Sequence, residues 1–290
     1  MEALFEILTP GIWMAVQDMG RQGFQNYGVP VSGAMDGRSL QKCNILLGNH
    51  AGSPCIEICG AGGALAVKQD CTVALTGGDL SPEADHVPLP MYKAVPLEKG
   101  SILRFQRIRT GLRSYLSVEG GIQASSVMGS ASVYPPVAGK LLRAGDMVCR
   151  GSGRVGIPGQ VERDDYARDV FVIRAVPGPD TRGFTRQQGN RFFRREYRVS
   201  AMYDRMGIRL EGNPLTHKDH AGEILSHGVI PGSVQVPRDG NPIILMQDAQ
   251  TSGGYSLIAN VFSGDMHLLG QVKWKDRIMF RKHFVALPFL

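Results

Sequence analysis

No apolar run in this chain extends far before a glycine, proline, aspartate or asparagine interrupts it. The runs at 65–67, 72–75, 102–105, 115–118, 170–173, 233–236, 243–246, 255–258 and 277–280 are too short for helices and have the length and flanks of strands. With 37 glycines and 17 prolines in 290 residues, the chain is poorly suited to a helix bundle and well suited to many strands joined by tight turns. Two segments break the pattern. Residues 38–47 place Leu40, Cys43 and Leu47 on one helical face, with Asp36 as N-cap and Gly48 past the end. A second helix is expected over 185–197, with Phe184, Phe192 and Phe193 as its apolar contacts.

The order of landmarks repeats. Ser32 to Asp36, then Gly48-Asn49, then 64–67, then a strand leading to Asp79, is matched by Ser200 to Asp204, Gly212-Asn213, 233–236 and a strand leading to Asp248. The offset stays near the 168 residues that separate Asp36 from Asp204. This duplication predicts two related β-rich domains, 1–155 and 165–290, joined through a glycine-rich and then charged stretch at 151–168.

The charge balance of 32 basic to 26 acidic residues suits an anionic small molecule, an acidic partner subunit or nucleic acid without choosing among them. Five cysteines without a C-x-x-C pair indicate neither a disulfide framework nor a zinc site. The phosphate loop G-x-x-x-x-G-K-[ST] and the hydrolase elbow G-x-S-x-G are missing, and Gly60-Ala61-Gly62-Gly63 lacks the last glycine of a dinucleotide fingerprint. His217 and His220 form only H-x-x-H in a polar loop, so no metal site is expected. Six arginines between 182 and 198 read as a solvated face, and no nucleic-acid partner is expected. The first residues lack a leader's basic and apolar regions, and no apolar run nears the roughly 20 residues of a membrane span. The expectation is a cytoplasmic protein with no membrane contact.

Three polar constellations stand out. Gln17, Asp18 and Arg21 put an amide, a carboxylate and a guanidinium within five residues, a set able to hold a small substrate with both an N–H and a carboxylate, or to make a loop salt bridge. Ser32 and Asp36 present a hydroxyl and a carboxylate where a helix begins, so Asp36 reads both as cap and as substrate contact. Gln250, Thr251 and Tyr255 follow an apolar strand, with Gly253-Gly254 between them allowing close backbone approach or a simple hairpin turn.

Several longer blocks resemble the biotin-dependent carboxyltransferase-like family, which includes the C subunit of bacterial 5-oxoprolinase, allophanate hydrolase subunit 2 and the carboxyltransferase part of urea carboxylase. The blocks are 16–21, 29–36, 47–49, 74–79, 114–122, 204–212, 228–237, 239–240 and 248–255, in the family's order. The resemblance implies two tandem cyclophilin-like β-barrel domains with a few short helices. It implies Asp18, Asp36 and Gln250 in catalysis, and Gln17, Arg21, Ser32, Glu57, Gln235, Thr251 and Tyr255 around the substrate. One departure is the short segment from Ala131 to Lys140, where the family runs through a longer glycine-rich turn. The chain also lacks the Ala-Met-Lys-Met tetrapeptide that carries biotin, so no covalent biotin is expected on it.

The family's substrates are small planar amides, whose conjugated C–N bond resists attack. The resemblance implies a 5-oxoprolinase subunit, opening 5-oxoproline with ATP and water to give glutamate, ADP and phosphate. Such a chain acts with a companion B-type subunit, which is allophanate hydrolase subunit 1-like and can share the ATP site, with room for Mg²⁺. Two rivals remain: a carboxyltransferase component moving CO₂ from carboxybiotin to a urea- or allophanate-type nitrogen, and a regulatory protein antagonising a kinase inhibitor.

Overall fold

The computed structural model describes residues 2–135, 137–218 and 223–284. Pro136 and His220 lie outside the described residues. Every run read above as a strand pairs into a sheet, and the chain is mainly β with a few short helices. It divides into two compact units, one made of 1–22 with 32–167 and the other of 23–31 with 168–290.

The first unit has a six-stranded sheet built around Ala3–Pro10 and Gly63–Val67, and a five-stranded sheet centred on Thr110–Val118. Phe5, Ile7, Ile58, Leu65, Phe105 and Leu116 belong to its largest core cluster. Burying each such side chain is worth about 1.5–3 kcal/mol. Strand side chains alternate between faces, so Leu116 and Val118 enter this core while Tyr115 points the other way. There it meets the helix Gly37–Ile45, whose Leu40 and Cys43 join Tyr115 and Ala74 in a second cluster.

Asp36 caps that helix as expected, accepting from Ser39 N at 2.9 Å. Past the helix end, Gly48 has φ +68°, and a Cβ there would overlap the Gly156 carbonyl. Gly156 N donates to Gly48 O at 2.7 Å and Gly159 N to Ile45 O at 2.8 Å. Part of the stretch read as joining the two domains is strapped to the helix. Lys42 Nζ bonds Asp164 at 2.7 Å, and the Tyr166 hydroxyl donates to Asp36 Oδ2 at 2.8 Å.

In the second unit, Val170–Pro177, Arg277–Lys282, Glu196–Tyr203, Gly207–Glu211, Ile243–Leu245, Ser233–Val236 and Ser252–Val261 follow one another by hydrogen bonding. The last pairs back on the first, Val261 opposite Ala175, which closes a seven-stranded barrel. Closure removes its free edges, and Glu223–Gly228 adds outside it along Ser252–Val261. The helix expected over 185–197 is shorter, Arg186–Phe192, with Thr185 as cap. From Glu196 the chain is a strand, because Tyr197 and Val199 are buried at period two and Tyr197 pairs with Ile278. Sheet pairing overrides the helical reading of the arginine-rich segment. The duplicated landmarks also diverge locally: Asp36 opens a helix, while Asp204 closes a turn by accepting from Met206 N and Gly207 N.

Removing the cap tests the strap. Asp36→Ala deprives Ser39 N, Ser39 Oγ and Tyr166 of one acceptor group. It is expected to cost about 2–4 kcal/mol in denaturant unfolding, against about 1 for Tyr166→Phe, which leaves the cap itself intact.

Candidate functional site

The expected site residues fall into two sets, six in the first unit and four in the second. Those of the first unit form buried networks. Asp18 Oδ1 accepts from Gly20 N at 2.8 Å, Ser130 Oγ at 2.5 Å and Ser132 Oγ at 2.6 Å, while Oδ2 accepts from Ala131 N at 2.6 Å. That carboxylate is saturated by the start of the 131–140 segment. Gln17 donates to Val133 O at 3.2 Å, and Arg21, only 1% exposed, donates to Ser132 O. These contacts brace the same segment, and a guanidinium so buried is no surface ion pair.

Glu57 and Asp36 are both fully buried. The Tyr115 hydroxyl links them, donating to Glu57 Oε2 at 2.6 Å and accepting from Asp36 N at 2.8 Å. Glu57 also accepts from Met35 N at 2.9 Å and stands 3.6 Å from Arg113 Nε. Ser32 is a non-glycine residue at φ +55° whose buried Oγ has no hydrogen-bond partner among the described residues. A backbone held in that region is strained, and here it lets Gly33 press against Gly20.

The second unit holds an open cleft of about 500 Å³ that brings Gln235, Gln250 and Tyr255 together. Register explains its chemistry. Arg209 pairs with Ile243, and Ile243 pairs with Gln235, so a guanidinium, an aliphatic side chain and a carboxamide form one row across three strands. Their neighbours Ile208, Ile244 and Val234 point into the barrel core. Gln235 is 1% exposed, and its Nε2 has no partner among the described residues. Its Oε1 accepts from Gln250 Nε2 at 3.5 Å. A Cβ at Gly253 would overlap the Gln235 amide, so the glycine is what lets that amide lie where it does.

Gln250 is held by the turn before it. Arg205 Nε and Nη2 bond Asp248 at 2.7 and 3.0 Å, and Asp248 N donates to Arg205 O at 2.8 Å. This fork fastens the Asp248 turn to the 204–207 turn on the cleft's other lip. Arg209 reaches Asp239 at 3.5 Å with the two side chains 32% and 44% exposed, a pair worth little and easily exchanged. Thr251 does not line the cleft; its carbonyl accepts from Val229 N. Sequence reasoning did not single out Arg209, Tyr203 or Asp204 as site residues. The signal lay in the 204–212 block, where charged and apolar residues alternate along a strand.

Four buried phenols are held protonated. Burial pushes Tyr92 and Tyr197 up to about 12, with Asp164 and Asp36 adding to the effect at Tyr92. Burial also raises Tyr115 and Tyr166, helped by Glu57 and Asp36 at the first and by Asp36 at the second. Among the described residues, no group of three or more His, Cys, Asp or Glu side chains comes together as a metal site, and no helix is long and apolar enough to cross a membrane.

The second unit is thus a closed barrel whose cleft sets carboxamides beside a guanidinium. The profile of the carboxyltransferase domain, subdomains A and B, matches residues 27–282, and the chain belongs to that family. It is similar to the C subunit of 5-oxoprolinase from Escherichia coli, 36% identical over 96% of this chain and 90% of that one. Among solved structures it is similar to the protein TTHA0988, with 31% identity and a TM-score of 0.87 over 96% of this chain. It spans about half of that protein's length, at 55%. It also matches the urea amidolyase of K. lactis, with 25% identity and a TM-score of 0.90 over 96% of this chain and 18% of that one.

Two outcomes check these assignments. Asp248→Ala leaves Arg205 largely buried without its fork and is expected to cost about 3 kcal/mol in stability. The raised phenols contribute stability that is complete below their unfolded value of about 10. It is lost as pH rises through about 12. The thermal midpoint should therefore fall across that window, and less so in Tyr197→Phe.

Proposed function

We propose that this chain is one component of an ATP-dependent amide-processing enzyme of the 5-oxoprolinase type, and that the second unit's cleft receives the lactam. The observation that carries the reading is the row Arg209, Ile243, Gln235 with Gln250 at its end. In a five-membered lactam the N–H and C=O lie on the same side. A primary carboxamide is complementary to that edge, because it offers a donor to the carbonyl and an acceptor to the N–H. The unpartnered Nε2 of Gln235 supplies the donor. Gln250 supplies a second carboxamide, Ile243 packs against the ring methylenes, and Arg209 takes the carboxylate in place of Asp239.

In this reading 5-oxoproline, ATP and water become glutamate, ADP and phosphate. Transfer of the γ-phosphoryl group to the amide oxygen makes the ring carbon electrophilic; one water then opens the ring to an acyl phosphate, and a second releases phosphate to leave glutamate. The chain's part is to fix the lactam edge and the carboxylate, so that the carbonyl oxygen is presented in one orientation. ATP and the companion B-type subunit belong to the same proposal, with Mg²⁺ arriving on the nucleotide. The similarity to the C subunit of 5-oxoprolinase over nearly its whole length supports this reading. A second reading, carboxyl transfer from carboxybiotin to urea-type nitrogen, is favoured by the likeness to urea amidolyase. It needs the carboxamides and has no use for a carboxylate clamp.

The test is calorimetric titration of 5-oxoproline and of urea into the chain assembled with its companion subunit. Arg209→Lys keeps the charge and loses the fork, and should weaken 5-oxoproline by about tenfold while leaving urea unaffected. Gln235→Leu should weaken both by a similar factor. Equal loss of both ligands in Arg209→Lys removes the clamp. Tight urea binding with no 5-oxoproline binding favours the carboxyltransferase reading instead.

A further inference from the structure

A second cleft lies wholly within the first unit and is used by nothing described above. Its volume is about 400 Å³. One wall is the segment 106–109, laced to 79–81 by three backbone hydrogen bonds: Gln106 N to Ser81 O, Arg107 N to Leu80 O and Arg109 N to Asp79 O. Ile108 packs against the large core cluster, and its neighbours Arg107 and Arg109 are exposed and line the cleft. Arg163 lines it as well, 3.8 Å from Asp79 and 6.0 Å above the Tyr92 ring.

The carboxylates in the cleft are already committed. Glu83 accepts from Gln106 Nε2 at 2.6 Å and stands 3.6 Å from His86 Nδ1. Asp79 accepts from Ser81 N at 2.8 Å and faces Arg163. Arg107 and Arg109, by contrast, make no ion pair or side-chain hydrogen bond among the described residues, although they stand only two residues apart. Ser81 sits at φ +52° with a buried Oγ that also lacks a partner among the described residues. Two adjacent guanidiniums held on a laced backbone, together with a strained, unsatisfied hydroxyl, form a cradle for a multiply charged oxyanion. The other wall is apolar: Leu89 and Met91 are anchored on the core, and Pro88 and Pro90 line the cleft beside them. Rigid prolines suit the flat face of an unsaturated ring.

We infer that this cleft binds a phosphorylated small molecule, its phosphates on Arg107 and Arg109 and its ring along Pro88 to Met91. The inference rests on the first unit alone and stands or falls apart from the lactam reading of the second.

The probes are ATP, inorganic tripolyphosphate and adenosine, titrated into the full chain without 5-oxoproline. ATP and tripolyphosphate should both bind, more weakly as salt rises, with ATP the tighter because its base uses the apolar wall. The double variant Arg107→Ala/Arg109→Ala should lose at least about tenfold in affinity for both. Its thermal midpoint should stay near that of the unsubstituted chain, since both side chains are exposed. Arg186→Ala/Arg194→Ala, which removes two exposed arginines of the second unit, should leave binding unchanged. The inference is overturned if neither phosphate compound binds, if adenosine binds as well as ATP, or if both double variants weaken binding equally.

Discussion

Side chains on a strand point alternately to opposite faces, and in a protein whose regular structure is mostly strand this two-residue period shapes what a site can be made of. A strand buried on one face must place apolar residues at every second position, which leaves the intervening positions free for other work. In Thr110–Val118, Leu116 and Val118 fill the core while Tyr115 reaches out the other side to join the Glu57 carboxylate to the backbone N–H of Asp36. In Gly207–Glu211, Ile208 and Leu210 fill the barrel while Arg209 faces the cleft. Between the strands Ile102–Phe105 and Thr110–Val118, Ile108 likewise packs on the core while Arg107 and Arg109 line a cleft. Each cluster of polar side chains is the reverse side of a piece of core.

Pairing register then turns single positions into rows. Arg209, Ile243 and Gln235 are 34 residues apart at their most distant, yet neighbouring strands set them side by side. A slip of one residue would turn Arg209 into the barrel and Ile208 out of it, at a cost in burial that no cleft could offset. The cleft's geometry is thus protected by the energetics of the core beneath it.

Much of this was legible in the sequence, because strands and turns leave local marks. The short apolar runs, the capped helix and the mainly β class all follow from period, length and punctuation. The family followed from longer blocks in a fixed order. What was not legible depended on partners far along the chain. Asp18 accepts from Ser130, Ala131 and Ser132, more than a hundred residues along the chain, and its sequence neighbours announce none of them. The stretch at 151–168 has the composition of a linker, and nothing local announces that Gly156 and Tyr166 are bound to the helix. Arg209 was passed over because an arginine between two apolar residues is ordinary until the opposite strand is known. The segment after Arg191 had helix-forming composition, and only its pairing partner made it a strand.

The strap from Gly156 to Tyr166 also has a consequence in time. Tyr166 meets Asp36 across 130 residues of chain, and Lys42 meets Asp164 across 122. Contacts of such separation form slowly, since loop closure must precede any gain from them. On the ribosome, where the amino-terminal part emerges first, Asp36 can cap its helix early but has no access to the Tyr166 phenol until the whole first unit has been made. Completion of that network therefore marks the finished synthesis of the first unit: the polar contacts at Asp36 close only when the segment ending at Tyr166 has appeared.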